Sequence, residues 1–385
     1  MKKLAIITSH PIQYNAPLFR LLTERGKIDV TVFYTWGQTK DGLVYDPDFK
    51  KTFKWDIPLL EGYEAVFVEN VSARPGAGHF TGIRNKDLIP QIDACNPDAL
   101  LLIGWSFHSH LQVLRHYKGR KKVLFRGDSN LLDEAPGFSL KKTLRRLALK
   151  WVLKHIDIAL YTGEDNRQYY IRHGVAQKKL VYAPNAVENQ RFAEGENDAM
   201  KQAKAWRNEL GIPDAALVFL FAGKLEPKKD PLLLIKAFQE IEQADIRLLL
   251  VGNGVLETEA KQLAADDRRI FFLDFQNQQQ MPVVYRLGDV FVLPSKGPGE
   301  TWGLSVNEAM ACGLPVIVSD RCGCAKELVR DNGKVFRATD QSELCKALRF
   351  FVNKKQQLPE MGVRSKAIIN SFSHKQIAAA IEGVL

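Results

Sequence analysis

Two glutamates flank a glycine in the stretch from Val290 to Asp320. Glu300 comes before Gly303-Leu304, and Glu308 comes after it. A short apolar run precedes these residues and a helical apolar pattern follows them, so we expect a strand, a loop and a helix that begins near Gly303. The first N–H groups of a helix lack intrahelical partners, and glycine lets a ligand approach the backbone closely. The helix start is therefore predicted to bind an anion such as phosphate.

The carboxylates on either side of this anion site would suit hydroxyl groups. An ionised glutamate only accepts hydrogen bonds, and the hydroxyls of a sugar can donate them. A diphosphate that joins a hexose to a ribose has the same order, with hydroxyls at both ends and charge in the middle. The stretch therefore predicts a nucleotide-sugar site. The alternative is an ordinary helix start with two solvated acids.

Polar side chains also follow three other predicted strands of the second half. Because the carboxyl ends of parallel strands meet at one edge of a sheet, we expect these side chains around the same ligand. Lys224 and Lys229 could neutralise a diphosphate leaving group, and solvated loop lysines are the alternative. The remaining donor-binding candidates are Gly252, Asn253, Phe275 and Gln276. A lone Gly-Asn-Gly is a weak dinucleotide signal, because the third glycine of the fingerprint is missing.

The first half shows the same alternation of apolar strands and polar loops. We expect strands at 4–8, 99–103 and 123–125, and Asn15 is placed to cap the helix after the first of them. A histidine after a strand is more often structural than catalytic, so both roles stay open for His10. The candidates for contacts with an acceptor or with a cleft are His10, Tyr14, Asn15, His108, Arg126 and Asp128.

The sequence Glu300-TWGLSVN-Glu308-AMACGLPVI resembles the signature of the family 4 retaining glycosyltransferases. The resemblance implies that Glu300 contacts the donor hexose, that Glu308 holds the ribose and that the amides of Gly303-Leu304 touch the diphosphate. In the family two basic residues after the first strand of this domain also meet the diphosphate. They correspond here to Lys224, where arginine is usual, and to Lys229, and the loops with Gly252, Asn253, Phe275 and Gln276 would surround the nucleobase.

The resemblance covers most of the chain and implies an α/β fold of the GT-B type, with two facing Rossmann-like domains, parallel sheets and a cleft between the domains. We expect an acceptor-binding domain at 1–193, a nucleotide-sugar-binding domain at 194–370 and a C-terminal helix at 371–385 that returns to the first domain. The polar run 194–213 would separate the halves. The match is weaker in the first domain, where Arg126 and Asp128 stand in a region that often holds a histidine in relatives.

The implied activity is the transfer of a hexose from a nucleotide-sugar, expected to be UDP-linked, with retained anomeric configuration. The acceptor would be a glycan or a lipid-linked molecule of cell-surface polysaccharide or lipopolysaccharide biosynthesis. The family expectation is a front-face mechanism in which the leaving diphosphate helps to deprotonate the acceptor. A UDP-sugar 2-epimerase of the same architecture and a non-catalytic nucleotide-sugar-binding protein stay open as alternatives.

No metal and no cofactor are expected. Such enzymes need no metal, and the sequence contains no ligand cluster that contradicts this. Asp46-Pro47-Asp48 has the DxD form of metal-dependent transferases, but no apolar strand precedes it, and we interpret it as a turn. Five cysteines without a metal-type spacing indicate free thiols in a reducing compartment.

The net charge of +10 lies almost wholly in the first half of the chain. Up to residue 190 there are 28 Lys and Arg against 19 Asp and Glu, and the remainder has 26 against 25. A basic half implies an anionic partner, such as a phosphorylated acceptor or an anionic membrane surface. Nucleic acid is disfavoured, because no helix-turn-helix, zinc module or aromatic RNA-binding signature is present. The apolar runs are too short for a secretion signal or a membrane span, so we expect a cytoplasmic protein, with peripheral contact to the inner face of the membrane as an option.

A basic amphipathic helix is predicted near residues 140–154. Leucines and Trp151 fall in one stripe, and no acid occurs from 135 to 156. The membrane candidates are Lys141, Lys142, Arg145, Arg146 and Trp151. One interpretation is a helix that docks on anionic lipid; the other is a surface helix whose stripe packs on its own sheet. Because strands flank the segment on both sides, we expect the stripe to lie partly in the core.

Overall fold

The computed structural model describes residues 1–37, 43–46, 51–132, 134, 137 and 139–385. The chain divides into two compact units. Unit 1 contains Met1–Val44, Ile57–Pro184 and His374–Leu385, and unit 2 contains Tyr45–Asp56 and Asn185–Ser373. The units thus divide nine residues before the boundary expected at 193/194, and unit 2 extends three residues beyond the one expected at 370/371.

The strands and helices alternate along most of the chain. In chain order the strands are β1 (Lys2–Thr8), β2 (Ile28–Tyr34), β3 (Leu43–Asp46), β4 (Lys51–Lys54), β5 (Glu64–Phe67), β6 (Ala99–Ile103), β7 (Lys122–Arg126), β8 (Ile158–Tyr161), β9 (Leu180–Tyr182), β10 (Leu217–Ala222), β11 (Ile246–Val251), β12 (Ile270–Leu273), β13 (Val290–Leu293), β14 (Val316–Ser319) and β15 (Gly333–Phe336). The helices are α1 (Ala16–Glu24), α2 (Leu88–Cys95), α3 (His108–Tyr117), α4 (Leu140–Leu153), α5 (Glu164–Arg172), α6 (Asn189–Ala193), α7 (Glu196–Glu209), α8 (Pro231–Gln239), α9 (Glu257–Leu263), α10 (Met281–Tyr285), α11 (Leu304–Ala311), α12 (Ala325–Leu328), α13 (Gln341–Asn353), α14 (Leu358–Ile369) and α15 (His374–Val384). Short 3-10 helices lie at Phe80–Gly82, Gln177–Lys179 and Lys355–Gln357.

Each unit is built on one parallel sheet. The order in unit 1 is β5-β2-β1-β6-β7-β8-β9, and the order in unit 2 is β12-β11-β10-β13-β14-β15. Neighbouring strands pair in parallel in both sheets. Strands covered by helices on both faces are apolar throughout, and all six residues of β10 are buried. The predicted α/β class with Rossmann-like parallel sheets is confirmed.

The segment between residues 35 and 82 contributes further strands. This segment contains β5, which pairs with β2 and extends the sheet of unit 1, and the two-stranded sheet of β3 and β4. The sequence pattern missed β5 because it has only four residues and lies at the sheet edge. Asp46 ends β3, and Pro47 and Asp48 lie outside the described residues, so the predicted turn there is not tested.

The polar run 194–213 does not separate the two units, because it lies within unit 2, where most of it is helix α7. Its buried positions are the small residues Ala199 and Ala203, so the helix shows little apolar periodicity. Arg207 anchors it to unit 2, since its guanidinium donates to the backbone oxygen of Leu287 at 2.8 Å and pairs with Asp289 at 3.0 Å. A charged sequence can therefore form a packed helix when ion pairs and alanines make the contact.

The expectation that the apolar stripe of α4 lies partly in the core is also wrong. The side of α4 that packs into unit 1 carries Leu149, Val152 and Leu153, which are buried. The predicted stripe lies on the other side, and its four large side chains are exposed: Leu140, Leu144, Leu147 and Trp151. The helix is thus apolar on two faces, only one of which the described residues cover.

Candidate active site

Lys229 and Glu300 meet at the carboxyl edge of the sheet of unit 2. Lys229 lies in the loop after β10, and Glu300 lies in the loop after the neighbouring strand β13. The Lys229 Nζ atom is 2.5 Å from Glu300 Oε2, which also accepts a hydrogen bond of 2.9 Å from the Ser295 hydroxyl. Glu300 is only 7% exposed. The pair therefore forms a compact, largely dehydrated arrangement in which a cation and an acceptor stand side by side.

Helix α11 begins four residues after Glu300, and its start depends on a glycine. Gly303 is the N-cap residue with a φ of 100°, in the left-handed region that favours glycine. A Cβ atom there would lie 2.9 Å from Leu293 Cδ2, so the position also lacks room for a side chain. The Val306 N–H donates to the backbone oxygen of Gly303 at 2.9 Å. The N–H groups of the first two residues of a helix have no acceptor within it and lie at the positive end of its dipole. The helix start is therefore suited to a phosphate group.

Backbone contacts hold the segment that carries Glu300. The N–H groups of Gly323 and Cys324 donate to the backbone oxygens of Glu300 and Trp302, at 3.2 and 3.0 Å. The Trp302 indole donates to Asn307 Oδ1 at 2.8 Å. The Cys322-Gly-Cys324 segment thus has a structural role here, and both of its thiols are buried and free.

Glu308 lies on α11 and is 3% exposed. Its Oε2 atom accepts a hydrogen bond of 2.6 Å from the hydroxyl of Tyr285, which ends α10. Burial of an ionised carboxylate costs free energy unless donors compensate it. Both glutamates are buried and bound by donors, so the alternative of two solvated acids is wrong.

Two glycines let the loops after β10 and β11 pack directly against each other. A Cβ at Gly252 would lie 2.1 Å from the backbone oxygen of Gly223, and one at Gly254 would lie 2.4 Å from that of Leu225. The Leu225 N–H donates to the backbone oxygen of Asn253 at 3.0 Å. The Gly-Asn-Gly sequence is therefore needed for close contact between the two loops.

Asn253 joins the loop after β11 to the loop after β12. Its side-chain oxygen accepts a hydrogen bond of 2.9 Å from the Phe275 N–H, and its amide donates to Asp274 at 2.9 Å and to Glu257 at 3.0 Å. Asn253 is buried, whereas Phe275 and Gln276 are half-buried. Asn253 thus positions the residues that were predicted to surround a nucleobase.

Residues 202–368, which lie within unit 2, match a family model with the description Glycosyl transferases group 1. The site residues described above all lie in this range. These residues form a glycosyl transferases group 1 domain.

Curated relatives and solved structures agree with this domain. The chain is 28% identical to a D-inositol 3-phosphate glycosyltransferase of Nocardia farcinica, over 85% of this chain and 76% of the relative. It is 25% identical to a GDP-mannose-dependent monoacylated alpha-(1-6)-phosphatidylinositol monomannoside mannosyltransferase of Corynebacterium glutamicum, over 59% of this chain and 61% of the relative. The structure of Anabaena Alr3699/HepE in complex with UDP and glucose covers 100% of this chain and 99% of that one, with a TM-score of 0.72 and 18% identity. The chain thus contains a glycosyl transferases group 1 domain, and its fold is of the GT-B type.

Three of the residues predicted in the first half follow neighbouring strands of unit 1. His10 follows β1, His108 follows β6 and Asp128 follows β7, so all three lie at one sheet edge. The His10 ring contacts the Ser9 hydroxyl at 2.9 Å, and burial lowers its pKa. Burial, with a smaller effect of Arg84, also lowers the pKa of His108. Asp128 is exposed.

The other three first-half candidates have contacts within unit 1. Arg126 is buried, and its guanidinium donates to the backbone oxygens of Ala183 and Pro184, at 2.6 and 2.9 Å. Burial lowers its pKa to about 10. The backbone oxygen of Tyr14 accepts a 3.0 Å hydrogen bond from His374. Asn15 does occupy the N-cap position of α1, but its side chain makes no capping hydrogen bond, so that detail of the prediction is wrong.

Several residues that shape the site were missed from the sequence. The Tyr285, Ser295 and Asn307 side chains bind Glu308, Glu300 and Trp302 respectively, and none of the three was predicted as a site residue. Tyr285 is part of the site because its hydroxyl donates a hydrogen bond to the buried Glu308. The two residues are 23 positions apart, so no local sequence pattern links them. Lys224 is half-buried at the same sheet edge, next to Gly223. Among the described residues, no group of three or more His, Cys, Asp or Glu side chains is arranged to hold a metal ion.

Proposed function

We propose that this protein transfers a hexose from a UDP-sugar to a glycan or lipid-linked acceptor, with retention of anomeric configuration and without a metal ion. The proposal rests on one observation above all, the Lys229–Glu300 pair beside the start of α11. A cation, an acceptor for hydroxyls and a helix N-terminus stand together there. These three groups match a diphosphate that is joined to a sugar.

In the proposed reaction the bond between the sugar C1 and the diphosphate oxygen breaks, and a bond from C1 to the acceptor oxygen forms on the same face. The acceptor proton passes to the departing diphosphate. Lys224, Lys229 and the Gly303-Leu304 amides stabilise the negative charge that develops on the leaving group. Glu300 accepts hydrogen bonds from the hexose, and Glu308 accepts them from the ribose.

The base and the sugar of the donor are the finer part of this proposal. We favour UDP because the structure of Alr3699/HepE contains UDP and glucose. A GDP-linked donor is the competing choice, since the name of the corynebacterial relative specifies GDP-mannose. The two can be separated by measuring the melting temperature with UDP-glucose, UDP-galactose and GDP-mannose. A rise with the GDP-sugar alone would overturn the choice of UDP.

We propose a lipid-linked or glycan acceptor of cell-surface polysaccharide biosynthesis, used at the inner face of the membrane. Unit 1 supports an anionic acceptor, because almost all of the excess positive charge lies in the first half of the chain. The names of both curated relatives also contain phosphorylated inositol.

The decisive experiment incubates the purified protein with the donor that stabilises it and with a bacterial lipid extract. We expect release of the free nucleoside diphosphate and labelled product that keeps the anomeric configuration of the donor, at a rate unchanged by EDTA. Lys229→Ala should lower this rate. Lys201→Ala, which changes an exposed lysine of α7, is its control and should not. Conversion of the UDP-sugar without any acceptor would show an epimerase instead, and an inverted product or inhibition by EDTA would contradict the mechanism.

A further inference from the structure

Helix α4 carries an apolar surface that the described residues do not cover. Leu140, Leu144, Leu147 and Trp151 are 69, 59, 58 and 39% exposed. Their spacing of four, three and four residues places them on one side of the helix, opposite Leu149, Val152 and Leu153. The helix has 14 residues, so the stripe is about 20 Å long.

Positive charges border this stripe on both sides. Lys141 and Arg145 lie along one edge, Lys150 and Lys154 lie along the other, and all four are exposed. Arg115 of α3 adds a fifth charge, with its guanidinium carbon 5.6 Å from the centre of the Trp151 ring. No acidic residue occurs between 135 and 156. A row of apolar side chains with cations on both flanks fits the boundary between lipid headgroups and acyl chains.

Two of the basic residues predicted to bind membrane instead have contacts within unit 1. Arg146 pairs with Glu134 at 2.9 Å, and Lys142 donates to the backbone oxygen of Gly137 at 3.0 Å. Both project toward the buried side of the helix, between the core and the basic edges. They anchor α4 to the unit, so the stripe is held outward on a fixed helix.

We propose that this surface docks on a lipid bilayer that contains anionic headgroups, with the axis of α4 parallel to the membrane plane. Leucines and tryptophan enter the boundary region, and the lysines and arginines meet the lipid phosphates. A bilayer fits better than a protein partner because the cations flank the stripe along its length and no acidic side chain of α4 complements a mixed protein surface. No helix of the described residues is long and apolar enough to cross a membrane. The inference extends the proposed function, since it would bring the enzyme to a lipid-linked acceptor.

Vesicle flotation tests the docking separately from sugar transfer, because it needs no substrate. The full-length protein is floated with phosphatidylcholine vesicles that contain or lack phosphatidylglycerol. We expect binding to the anionic vesicles only, weakened by salt, and about fivefold weaker for each cation of the flanks that is neutralised. Leu144→Glu combined with Leu147→Glu should lower the partition coefficient at least about tenfold, because charge is placed in the contact.

Val363→Glu is the matched control, since Val363 of α14 is 67% exposed and lies in unit 2. It should bind vesicles like the parent. All the replaced residues are exposed, so circular dichroism and the melting temperature should not change. Quenching of Trp151 by bromine-labelled lipids, with Trp151→Phe as the reference for the other five tryptophans, tests insertion of the stripe directly.

Equal flotation of the Leu144→Glu/Leu147→Glu variant, or no flotation of the parent with either vesicle, would overturn the proposal. So would a dimer in sedimentation equilibrium that this variant dissociates, since the surface would then bind a second copy of the chain. A protein that transfers sugar to a water-soluble acceptor but does not float would disprove docking and leave the proposed activity intact. A protein that floats but transfers no sugar would support docking and disprove the proposed activity.

Discussion

Lys229 Nζ lies 2.5 Å from Glu300 Oε2, in a place where the Glu300 side chain is almost fully buried. The two residues are 71 positions apart and come from loops after adjacent strands. Each therefore depends on the other, because a buried carboxylate without its counter-charge is strongly destabilising. The pair has two separable roles, the stability of unit 2 and the proposed binding of diphosphate and hexose.

A double-mutant cycle separates these roles. Lys229→Met should destabilise unit 2 by about 3–5 kcal/mol, because it leaves Glu300 buried and unpaired. It should also lower turnover by about 10²–10³, as expected when a group that stabilises transition-state charge is removed. Adding Glu300→Gln removes the orphan charge and keeps an oxygen for the Ser295 hydroxyl, so stability should return to within about 1 kcal/mol of the parent. Turnover should stay low.

Urea unfolding and the release of nucleoside diphosphate provide the two measurements for this cycle. A double variant as unstable as Lys229→Met would mean that the carboxylate charge is not what destabilises the single variant. A double variant with normal turnover would remove both residues from the proposed site.

Glu308 and Tyr285 allow a second comparison, between a hydrogen-bond acceptor, the Glu308 carboxylate, and its hydrogen-bond donor, the Tyr285 hydroxyl. Glu308→Gln keeps an oxygen for the Tyr285 hydroxyl but loses the negative charge, so we expect nearly parental stability and a rise of about tenfold in the KM for the donor. Tyr285→Phe removes only the donor to a buried carboxylate, so unfolding should become easier by about 1–3 kcal/mol. Donors with a 2′-deoxyribose provide the check, because Glu308→Gln should bind them no worse than the ribose forms. Continued discrimination against the deoxy donor would contradict the assignment of Glu308 to the ribose.

The segment from Val290 to Asp320, which carries Glu300 and Glu308, could be predicted from the sequence because its signals are local. A strand, a loop with glycines and a helix follow one another within about thirty residues, and the two acids keep a fixed spacing along that segment. Tyr285 and Ser295 could not be predicted as their partners, since hydrogen bonds between distant side chains leave no period in the chain. The same limit applies to Arg126, whose guanidinium donates to the backbone oxygens of Ala183 and Pro184, more than fifty residues along the chain.

Helix α4 shows a different limit of sequence reasoning. Its periodicity predicted which apolar residues share a side, but a period does not show which side of the helix the fold covers. Three other apolar residues, Leu149, Val152 and Leu153, form the face that packs in the core. In the polar run 194–213 the sequence pattern missed a packed helix, α7. Its contacts are made by alanines and ion pairs, which leave no apolar period.

Gly303 supplies a third test, in which the helix start itself is changed. Gly303→Ala would place a side chain at a φ of 100° and 2.9 Å from Leu293 Cδ2, and we expect a loss of about 2–4 kcal/mol with much weaker donor binding. Gly195→Ala is the matched control, because Gly195 is also a left-handed N-cap residue of unit 2 and has no atom within 4 Å of the added Cβ. That change should cost only about 1–2 kcal/mol and leave donor binding intact. Equal effects of the two changes on donor binding would show that the start of α11 is not part of the site.

Two buried histidines of unit 1 predict how its stability depends on pH. Burial lowers the pKa of His110 to about 4, and burial together with the charge of Arg126 lowers that of His374 to about 4. His110 is neutral between the Thr35 hydroxyl and the backbone oxygen of Gly104, at 2.9 and 2.8 Å, and His374 donates to the backbone oxygen of Tyr14 at 3.0 Å. In the unfolded chain both would titrate near 6.5.

Between pH 6.5 and 4 the unfolded state therefore binds more protons than the folded state. The stabilisation is complete above about pH 6.5 and is lost as the pH falls toward 4, by about 2 kcal/mol for each histidine at pH 5. Urea unfolding of the full chain at pH 7.5 and pH 5 measures this loss, with hydrogen exchange of the peptides of unit 1 as the readout. At pH 5 most carboxylates have not yet titrated. His374→Gln keeps a donor for the Tyr14 oxygen but cannot gain a proton, so it should lose about 2 kcal/mol of the dependence at pH 5. The rest stays with His110 and with His10, His108 and His173, whose pKa values burial also lowers. If the variant and the parent lost stability equally between these pH values, His374 would not be the group responsible, and its burial as a neutral side chain would be disproved.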